Sequence, residues 1–201
     1  MYKRQLTVLP KDFGTVEVEP EPASTEAANA EFRNNIWPLY EQPVREKLWA
    51  GAFLCPAENY MTLVDFGQVK VIGGQQGSRS NSTKLYTIPG EPCRAPANGV
   101  VVLARNLALT GNTVVIDHGN GYETSYSHLL AVNVRRGQEV RRGDIIGLSG
   151  NTGLSIAPHL HYEVRHNGMR VDPIHYFFME LSPVEYQRII RIAQSGMQSF
   201  D

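Results

Sequence analysis

The sequence lacks three features that would assign it to a large functional class. No apolar run reaches the roughly 18 residues that a membrane-spanning helix needs, so no membrane span is predicted. The net charge is −1 at pH 7, which gives no electrostatic footprint for nucleic acid. The two cysteines, Cys55 and Cys93, have no close spacing and make a poor zinc signature. A disulfide in an exported protein and two separate buried thiols both fit this pair.

The start of the chain shows no secretory signal. Residues 2–5 read Tyr-Lys-Arg-Gln, which a common transposon-type sequencing adapter encodes in one reading frame. We therefore expect residues 1–5 to be foreign and the natural N-terminus, with any signal, to be missing; an ordinary polar start is the alternative. Residues 6–48 are rich in Pro and Glu and predict a lead-in or linker, within which residues 26–35 favour a short helix.

The texture changes at Trp49 and becomes typical of a β-protein. Runs of β-branched residues at 100–104 and 113–117 are bounded by Gly and Asn, and a further strand is predicted from Gly121 to Leu129. Strands recurring near every ten residues with glycine turns predict a mostly β domain over residues 49–175, an antiparallel sheet or barrel-like fold. No helix of any length fits between residues 60 and 172.

The tail from 176 to 201 differs again and predicts a helix. Ser182 and Glu185 form a capping box with Pro183 at the first helical position, so the helix is expected over about 183–195. An apolar stripe at helical spacing, which includes Ile189, Ile190 and Ala193, is most simply a face that docks on the β core.

The chemistry concentrates in residues 157–164, which predict a short strand entered from a proline. Side chains alternate along a strand, so His159, His161 and Glu163 share one face while the apolar residues between them share the other. Two imidazoles at this spacing can reach one ion or water. A lone pair of this kind is more often a solvated strand face, but a glycine-rich loop precedes it and another strand carries His128.

These residues, taken with several others in order, resemble the lysostaphin/LytM-type zinc metallopeptidases, which cut peptide bonds in peptidoglycan. The resemblance covers about residues 50–175 and implies that family's β fold. It is carried by an entry segment, a Gly-x-Pro turn, two central strands and a closing motif, at 53–67, 90–99, 111–119, 126–129 and 150–161. A hairpin at 137–147 is also similar to biotinyl carriers, but no Met-Lys dipeptide occurs here.

The resemblance implies a role for each histidine. In that family zinc is held by the His and Asp of an H-x-x-x-D motif and by the second His of H-x-H, so His161 matches a zinc ligand. His128 and His159 match the two catalytic histidines that orient the attacking water and stabilise the oxyanion. Glu163 is placed to hydrogen-bond an imidazole, with a surface-exposed glutamate as the simpler alternative. His118 matches no site residue of the family.

The sequence departs from the family at the H-x-x-x-D motif. Ser80 stands where the His is expected and Lys84 where the Asp is expected, and no His or Asp occurs between Asp65 and Asp117. A catalytic zinc needs three protein ligands and an open position for water. With one imidazole left and an ammonium at a ligand position, weak or absent zinc binding is predicted.

Two functions of different class follow. The first is a non-catalytic module of the periplasm or cell envelope that binds peptidoglycan or regulates a cell-wall hydrolase, since inactive relatives of this kind activate amidases. The second is a working zinc endopeptidase with unusual ligands, such as His128, His159 and His161 with a glutamate. Measuring zinc on the purified protein separates the two.

Overall fold

The computed structural model describes residues 12–20, 22–58 and 61–177. Within these residues the elements are, in chain order, β1 (Thr15–Glu17), α1 (Glu26–Tyr40), β2 (Met61–Val64), β3 (Val69–Ile72), β4 (Gln75–Arg79), β5 (Thr83–Tyr86), β6 (Pro92–Arg94), β7 (Gly99–Leu107), β8 (Gly111–Gly119), β9 (Tyr122–Leu129), β10 (Ala131–Val132), β11 (Glu139–Val140), β12 (Ile145–Leu148), β13 (Leu160–His166), β14 (Met169–Val171) and a 3-10 turn (Pro173–His175).

The main sheet confirms the predicted antiparallel β class. Its strands lie in the order β11-β7-β8-β9-β13-β5-β2, and β14 pairs with β13. Two three-stranded sheets accompany it, in the orders β1-β3-β4 and β10-β12-β6. The strand order of the main sheet is linear within the described residues, so the barrel-like form of the expectation is corrected to an open sheet. α1, at 26–40, extends five residues beyond the predicted helix.

The core forms because β13 alternates as the sequence predicts. Leu160, Tyr162 and Val164 are fully buried and join one apolar cluster with side chains of β5, β7, β8, β9 and β12. The tilted rings of Tyr126 and Tyr162 lie 5.3 Å apart at its centre. Burying apolar surface stabilises by about 25 cal/mol per Å2, so this cluster is the main support of the sheet.

The helix α1 packs on strands β7 and β8 of the same sheet. Thr25 caps α1, its hydroxyl accepting a hydrogen bond from the Ala28 amide at 3.2 Å. Ile36 and Leu39 are buried in a second apolar cluster with side chains of β7 and β8, namely Leu103, Leu107 and Val115. Phe32, Ile36 and Tyr40 of α1 also line the cavity that holds His128 and His161. None of the helices in the described residues has the length and apolarity for crossing a bilayer.

Two further expectations have different outcomes. Cys55 and Cys93 are not joined by a disulfide, so they are separate thiols, with Cys93 buried and Cys55 half-buried. The helix expected over 183–195, with Ile189, Ile190 and Ala193, lies outside the described residues, as does the suspected foreign start at 1–5. The division into a lead-in at 6–48, a β domain at 49–175 and a tail at 176–201 stays a prediction.

Candidate active site

The site lies where β13 pairs with a neighbour on each side. His161 is opposite Ser127 of β9 and opposite Lys84 of β5. Residues directly opposite on antiparallel strands share a face, so the side chain of Lys84 is on the same side of the sheet as that of His161. His159 precedes the first residue of β13 and is 4% exposed.

His128 reaches the same face through a local break in the strand. Ordinary alternation would place it on the face opposite to Ser127. Between Asn112 and Val114 the register of β8 and β9 shifts, and His128 adopts a left-handed backbone with φ of 64°. A positive φ is uncommon for a residue other than glycine and marks a bulge that redirects the side chain. The bulge turns the imidazole toward the H-x-H strand.

The three histidines converge. One ring nitrogen of each lies within 4.8 Å of the others. The Nδ1 of His128 lies 2.8 Å from the Thr152 carbonyl oxygen, and the Nδ1 of His159 lies 2.8 Å from that of Ala157. A carbonyl only accepts, so each Nδ1 carries the hydrogen and each Nε2 is left as an acceptor, a tautomer assigned from these contacts.

The Nε2 of His159 is buried and has no hydrogen-bond partner. Burial lowers the pKa of His159 to about 3, against the opposing effect of its hydrogen bond to Ala157. The ring is therefore neutral at pH 7 and presents an unused lone pair to the site.

Glu163 is buried and orients the imidazole of His161 through a hydrogen bond. Its carboxylate accepts hydrogen bonds from His161 Nε2 at 3.1 Å, from Arg165 at 3.2 Å and from Arg170 at 2.9 Å. Burial alone raises the pKa of Glu163, but the hydrogen bond and charge of His161 and the charge of Arg170 overcome it and lower the pKa to about 2. The Nδ1 of His161 is left facing the Ser82 hydroxyl at 3.5 Å.

The residues at the other two ligand positions do not fit the family's zinc site. Ser80 is 3% exposed, and its hydroxyl donates a hydrogen bond to the Ser82 carbonyl at 2.8 Å. Lys84 brings an ammonium group to the wall of the cavity that also holds His128 and His161. A dication is repelled by an ammonium and needs deprotonated, electron-rich ligands. The predicted reduction of the family's set of two imidazoles and a carboxylate to His161 stays a prediction.

Several residues of this cavity are absent from the sequence-based prediction. The cavity, of about 270 Å3, is lined by His128 and His161 and also by Phe32, Ile36, Tyr40, Lys70, Ser82 and Arg170. The ring of Tyr40 stacks 3.9 Å from the guanidinium of Arg165. Ser82 lies two residues before Lys84, so the two side chains are expected on the same face. This spacing predicts that Ser82 lines the cavity once the pairing of β5 with β13 is known. The contributions of α1 have no local signal, because they depend on tertiary packing.

His118 lies outside this group and has a structural role. It is fully buried, with Nδ1 2.8 Å from the Asn98 carbonyl oxygen and Nε2 2.8 Å from the Thr124 hydroxyl. Burial lowers the pKa of His118 to about 4, against the opposing effect of the bond to Asn98. This neutral ring joins the strands β8 and β9 and the loop before β7.

A pH dependence of stability follows from His118. Its pKa is about 4 in the folded chain and about 6.5 when unfolded, so its contribution is complete above pH 6.5 and is lost as the pH falls to 4. The free energy of unfolding should drop by about 3 kcal/mol over this interval through this residue. We expect His118→Gln to reduce the pH-dependent decrease in the free energy of unfolding, measured by urea denaturation at pH 7, 5.5 and 4. The matched change His175→Gln, at a side chain that is 70% exposed, should leave the slope unaltered.

The sheet and its histidine cluster define a class of protein, the M23 peptidase fold. The family model described as Peptidase family M23 matches residues 78–173, and the chain belongs to this family. It is 49% identical over 92 residues to the peptidoglycan DD-endopeptidase ShyA of Vibrio cholerae, covering 46% of this chain and 21% of that protein. The chain thus spans about a fifth of the length of the curated relatives it matches.

Solved structures agree with this assignment. A zinc-containing peptidase from Vibrio cholerae has a TM-score of 0.57 at 32% identity, covering 66% of this chain and 41% of that one. The catalytic domain of lysostaphin from Staphylococcus simulans has a TM-score of 0.51 at 31% identity, covering 59% of this chain and 92% of that one. The fold and the family predicted from the motifs are confirmed, while the roles of the individual residues stay predictions.

Proposed function

We propose that this chain is a peptidoglycan-directed M23 domain of the periplasm or cell envelope that binds cell-wall peptides or a cell-wall hydrolase without cutting. The direction toward peptidoglycan rests on the family and on the endopeptidase relatives. The absence of cutting rests on the site itself. His128 and His159 keep the places of catalytic histidines, but the ligand set around His161 is broken.

The observation that carries the proposal is the position of Lys84. It lies directly opposite His161 and lines the same cavity. An ammonium there provides a positive charge to the groove but no electron pair for a metal. A metal-bound water has a pKa near 7, whereas free water has one of about 15.7, so a site without the ion loses its nucleophile. What remains is a groove with hydrogen-bond acceptors and a fixed cation, which can bind a peptide.

A second candidate is an active zinc endopeptidase that uses His128, His159 and His161 as ligands. The convergence of their nitrogens within 4.8 Å favours it. Zinc–nitrogen bonds of about 2.1 Å in tetrahedral geometry place ligand nitrogens about 3.4 Å apart, so the rings would have to approach each other. This alternative also converts both catalytic histidines into ligands and leaves the ammonium of Lys84 beside the ion, which is why we favour the first proposal.

The test uses the purified chain and purified peptidoglycan sacculi. We expect the chain to sediment with sacculi, to release no soluble peptides, and to contain well below one zinc per chain by elemental analysis. Lys84→Met should weaken sedimentation if the ammonium contacts the peptide, while Lys47→Met, a charge removal outside the cavity, should not. Released peptides together with stoichiometric zinc would overturn the proposal in favour of the second candidate.

A further inference from the structure

A groove of about 540 Å3 lies between α1, β7 and the loop that leads into β11. It is on the flank of α1 that faces away from the histidine cavity. Phe32, Ile36 and Tyr40 of α1 line the histidine cavity, whereas Asn34 and Pro38 line this groove. Side chains two residues apart on a helix point in nearly opposite directions, so α1 separates the two sites.

Two guanidinium groups line the groove, and neither pairs with a carboxylate among the described residues. Arg105 belongs to β7, and Arg136 belongs to the loop before β11. The Nη1 of Arg105 donates a hydrogen bond to the Asn35 Oδ1 at 2.7 Å, which orients the guanidinium and leaves its other N–H groups for a ligand. In the part of the chain that the structure describes, no aspartate or glutamate lines the groove. The groove therefore carries two uncompensated positive charges.

The acidic residues next to the groove do not cancel this charge. A neighbouring cavity shares Arg136 with the groove and contains Asp117 and Glu123. Asp117 is already paired with Arg45 at 3.1 Å. Burial, and then the charge of Asp117, raise the pKa of Glu123 to about 8 against the opposing effect of Arg165. The carboxyl group of Glu123 is therefore mostly uncharged at pH 7 and leaves the charge of Arg136 available.

The rest of the groove fits a peptide. The side chains of Asn34 and Gln42 are exposed, and primary amides offer both donors and acceptors, as the N–H and C=O groups of a peptide do. Gln42 Nε2 donates to the Pro38 carbonyl at 3.0 Å, so its Oε1 is left as an acceptor. Val102 and Ala104 of β7 line the groove and are half-buried, which gives small apolar side chains a surface to contact.

A sugar chain fits this surface less well. Among the described residues no aromatic ring lines the groove, so it lacks the flat apolar face on which a sugar ring packs. Arginine binds a carboxylate through two parallel N–H groups, and this geometry supplies the specificity for an acidic ligand.

We propose that this groove is a second ligand site of the domain, in which Arg105 and Arg136 bind the carboxylates of a peptide. The proposal rests on the proposed function for the identity of that peptide, a peptidoglycan stem peptide. Because α1 separates the groove from the histidine cavity, the two sites hold two stem peptides at once. Binding through two weak sites raises the overall affinity for a polymer without any new contact.

The first measurement locates the ligand by nuclear magnetic resonance. The probe is a soluble stem peptide with free carboxylates, added to the isotope-labelled chain. We expect the side-chain amide signals of Asn34 and Gln42 to shift, while that of Gln76 on β4, which lines neither site, stays in place. Amidating the carboxylates of the peptide should weaken the affinity read from these signals by about 3- to 10-fold. Signals of Asn34 and Gln42 that do not respond to the peptide would overturn the proposal.

The second measurement examines the two arginines. The variant carrying Arg105→Gln with Arg136→Gln should bind the free-acid peptide about 3- to 10-fold more weakly and should no longer distinguish it from the amidated one. The matched control, Arg135→Gln with Arg141→Gln, removes the same two charges from exposed side chains outside the groove. Because solvent screens such charges, its affinity should stay within about twofold of the unmutated chain. An equal loss in both variants would show that net charge alone drives binding, which contradicts the proposal.

A carboxylate-bearing glycan is the alternative ligand of this groove. An oligogalacturonate with as many carboxylates as the peptide is the probe for it. We expect the chain to bind the peptide more tightly, because the amides of Asn34 and Gln42 match peptide groups. Equal or tighter binding of the oligogalacturonate would overturn the assignment of the groove to a peptide.

The two proposals fail in different ways. If the signals of Asn34 and Gln42 respond to the peptide and to the arginine changes but the chain does not sediment with sacculi, the groove stands and the proposed function falls. If the chain sediments with sacculi and these signals do not respond, the groove falls and the proposed function stands.

Discussion

The variant carrying Ser80→His together with Lys84→Asp should bind about one zinc ion per chain, where the unmutated protein binds far less. The two changes restore an imidazole and a carboxylate beside His161, and they remove the ammonium that repels the ion. At zinc concentrations of about 100 times the dissociation constant, binding stabilises the folded chain by about 2.7 kcal/mol. For a chain of this size the melting temperature should rise by about 5–10 °C on adding zinc.

The single variants are the controls for this experiment. Each leaves two ligands, so each should gain much less zinc than the pair. Ser80 is buried, with its hydroxyl bonded to the Ser82 carbonyl, so the larger ring requires a small opening of this segment. Circular dichroism shows whether the sheet has survived. A folded double variant that still takes up no zinc would show that Ser80 and Lys84 are not at the family's ligand positions.

A neighbouring position sharpens the result. Ser82 is the residue of this segment whose hydroxyl lies 3.5 Å from His161 Nδ1. The variant carrying Ser82→His with Lys84→Asp is therefore a geometric alternative to the first. If this variant gains zinc and the first pair does not, Ser82 and not Ser80 occupies the position of the family's histidine ligand. Zinc uptake by the Ser82 variant alone would mean that the histidine position was assigned to the wrong residue. Uptake by neither variant would mean that restoring the ligand types does not restore the metal site.

Replacing Glu163 by Gln should lower the free energy of unfolding by about 3 kcal/mol, the low end for breaking a buried ion pair from one side. The carboxylate contacts Arg165, His161 and Arg170 at once, and the side chains of Glu163 and Arg165 are each 9% exposed. Glutamine keeps the shape but leaves a buried guanidinium without its counter-charge. The melting temperature should fall by about 6–12 °C.

The control is Glu26→Gln, which removes the carboxylate of a surface pair with Arg33. The two side chains are 79% and 42% exposed, so the loss should stay within about 0.5 kcal/mol. Both values come from urea denaturation at pH 7. A Glu163→Gln variant no less stable than this control would mean that the ion network does not support the fold.

The parts of the fold that could be predicted from the sequence are the strands with β-branched runs or with alternating apolar and polar side chains. The β-branched runs at 100–104 and 113–117 predicted strands that the structure extends to β7 and β8. Alternation placed Leu160, Tyr162 and Val164 on a core face, and all three are fully buried. Period-2 alternation is a local property, because the pleat of one strand decides it before any partner is chosen.

The site could be predicted only in part, for a related reason. His159, His161 and Glu163 could be assigned to one face from their spacing alone. His128 could not, since alternation would turn it away and a bulge with a positive φ turns it back. A bulge arises from the mismatch between two paired strands, so a single strand does not reveal it.

The sequence by itself therefore determined the β class and the family motifs, and it predicts that Ser80 and Lys84 replace two zinc ligands. Only the tertiary structure decided what surrounds them. It buried Glu163 between two arginines and His161, where the sequence left a surface-exposed glutamate as the simpler alternative. It also placed Phe32, Ile36 and Tyr40 of α1 in the wall of the cavity that holds His128 and His161. Burial and charge pairing depend on tertiary contacts between residues that are far apart in the sequence. A local sequence pattern therefore does not determine them.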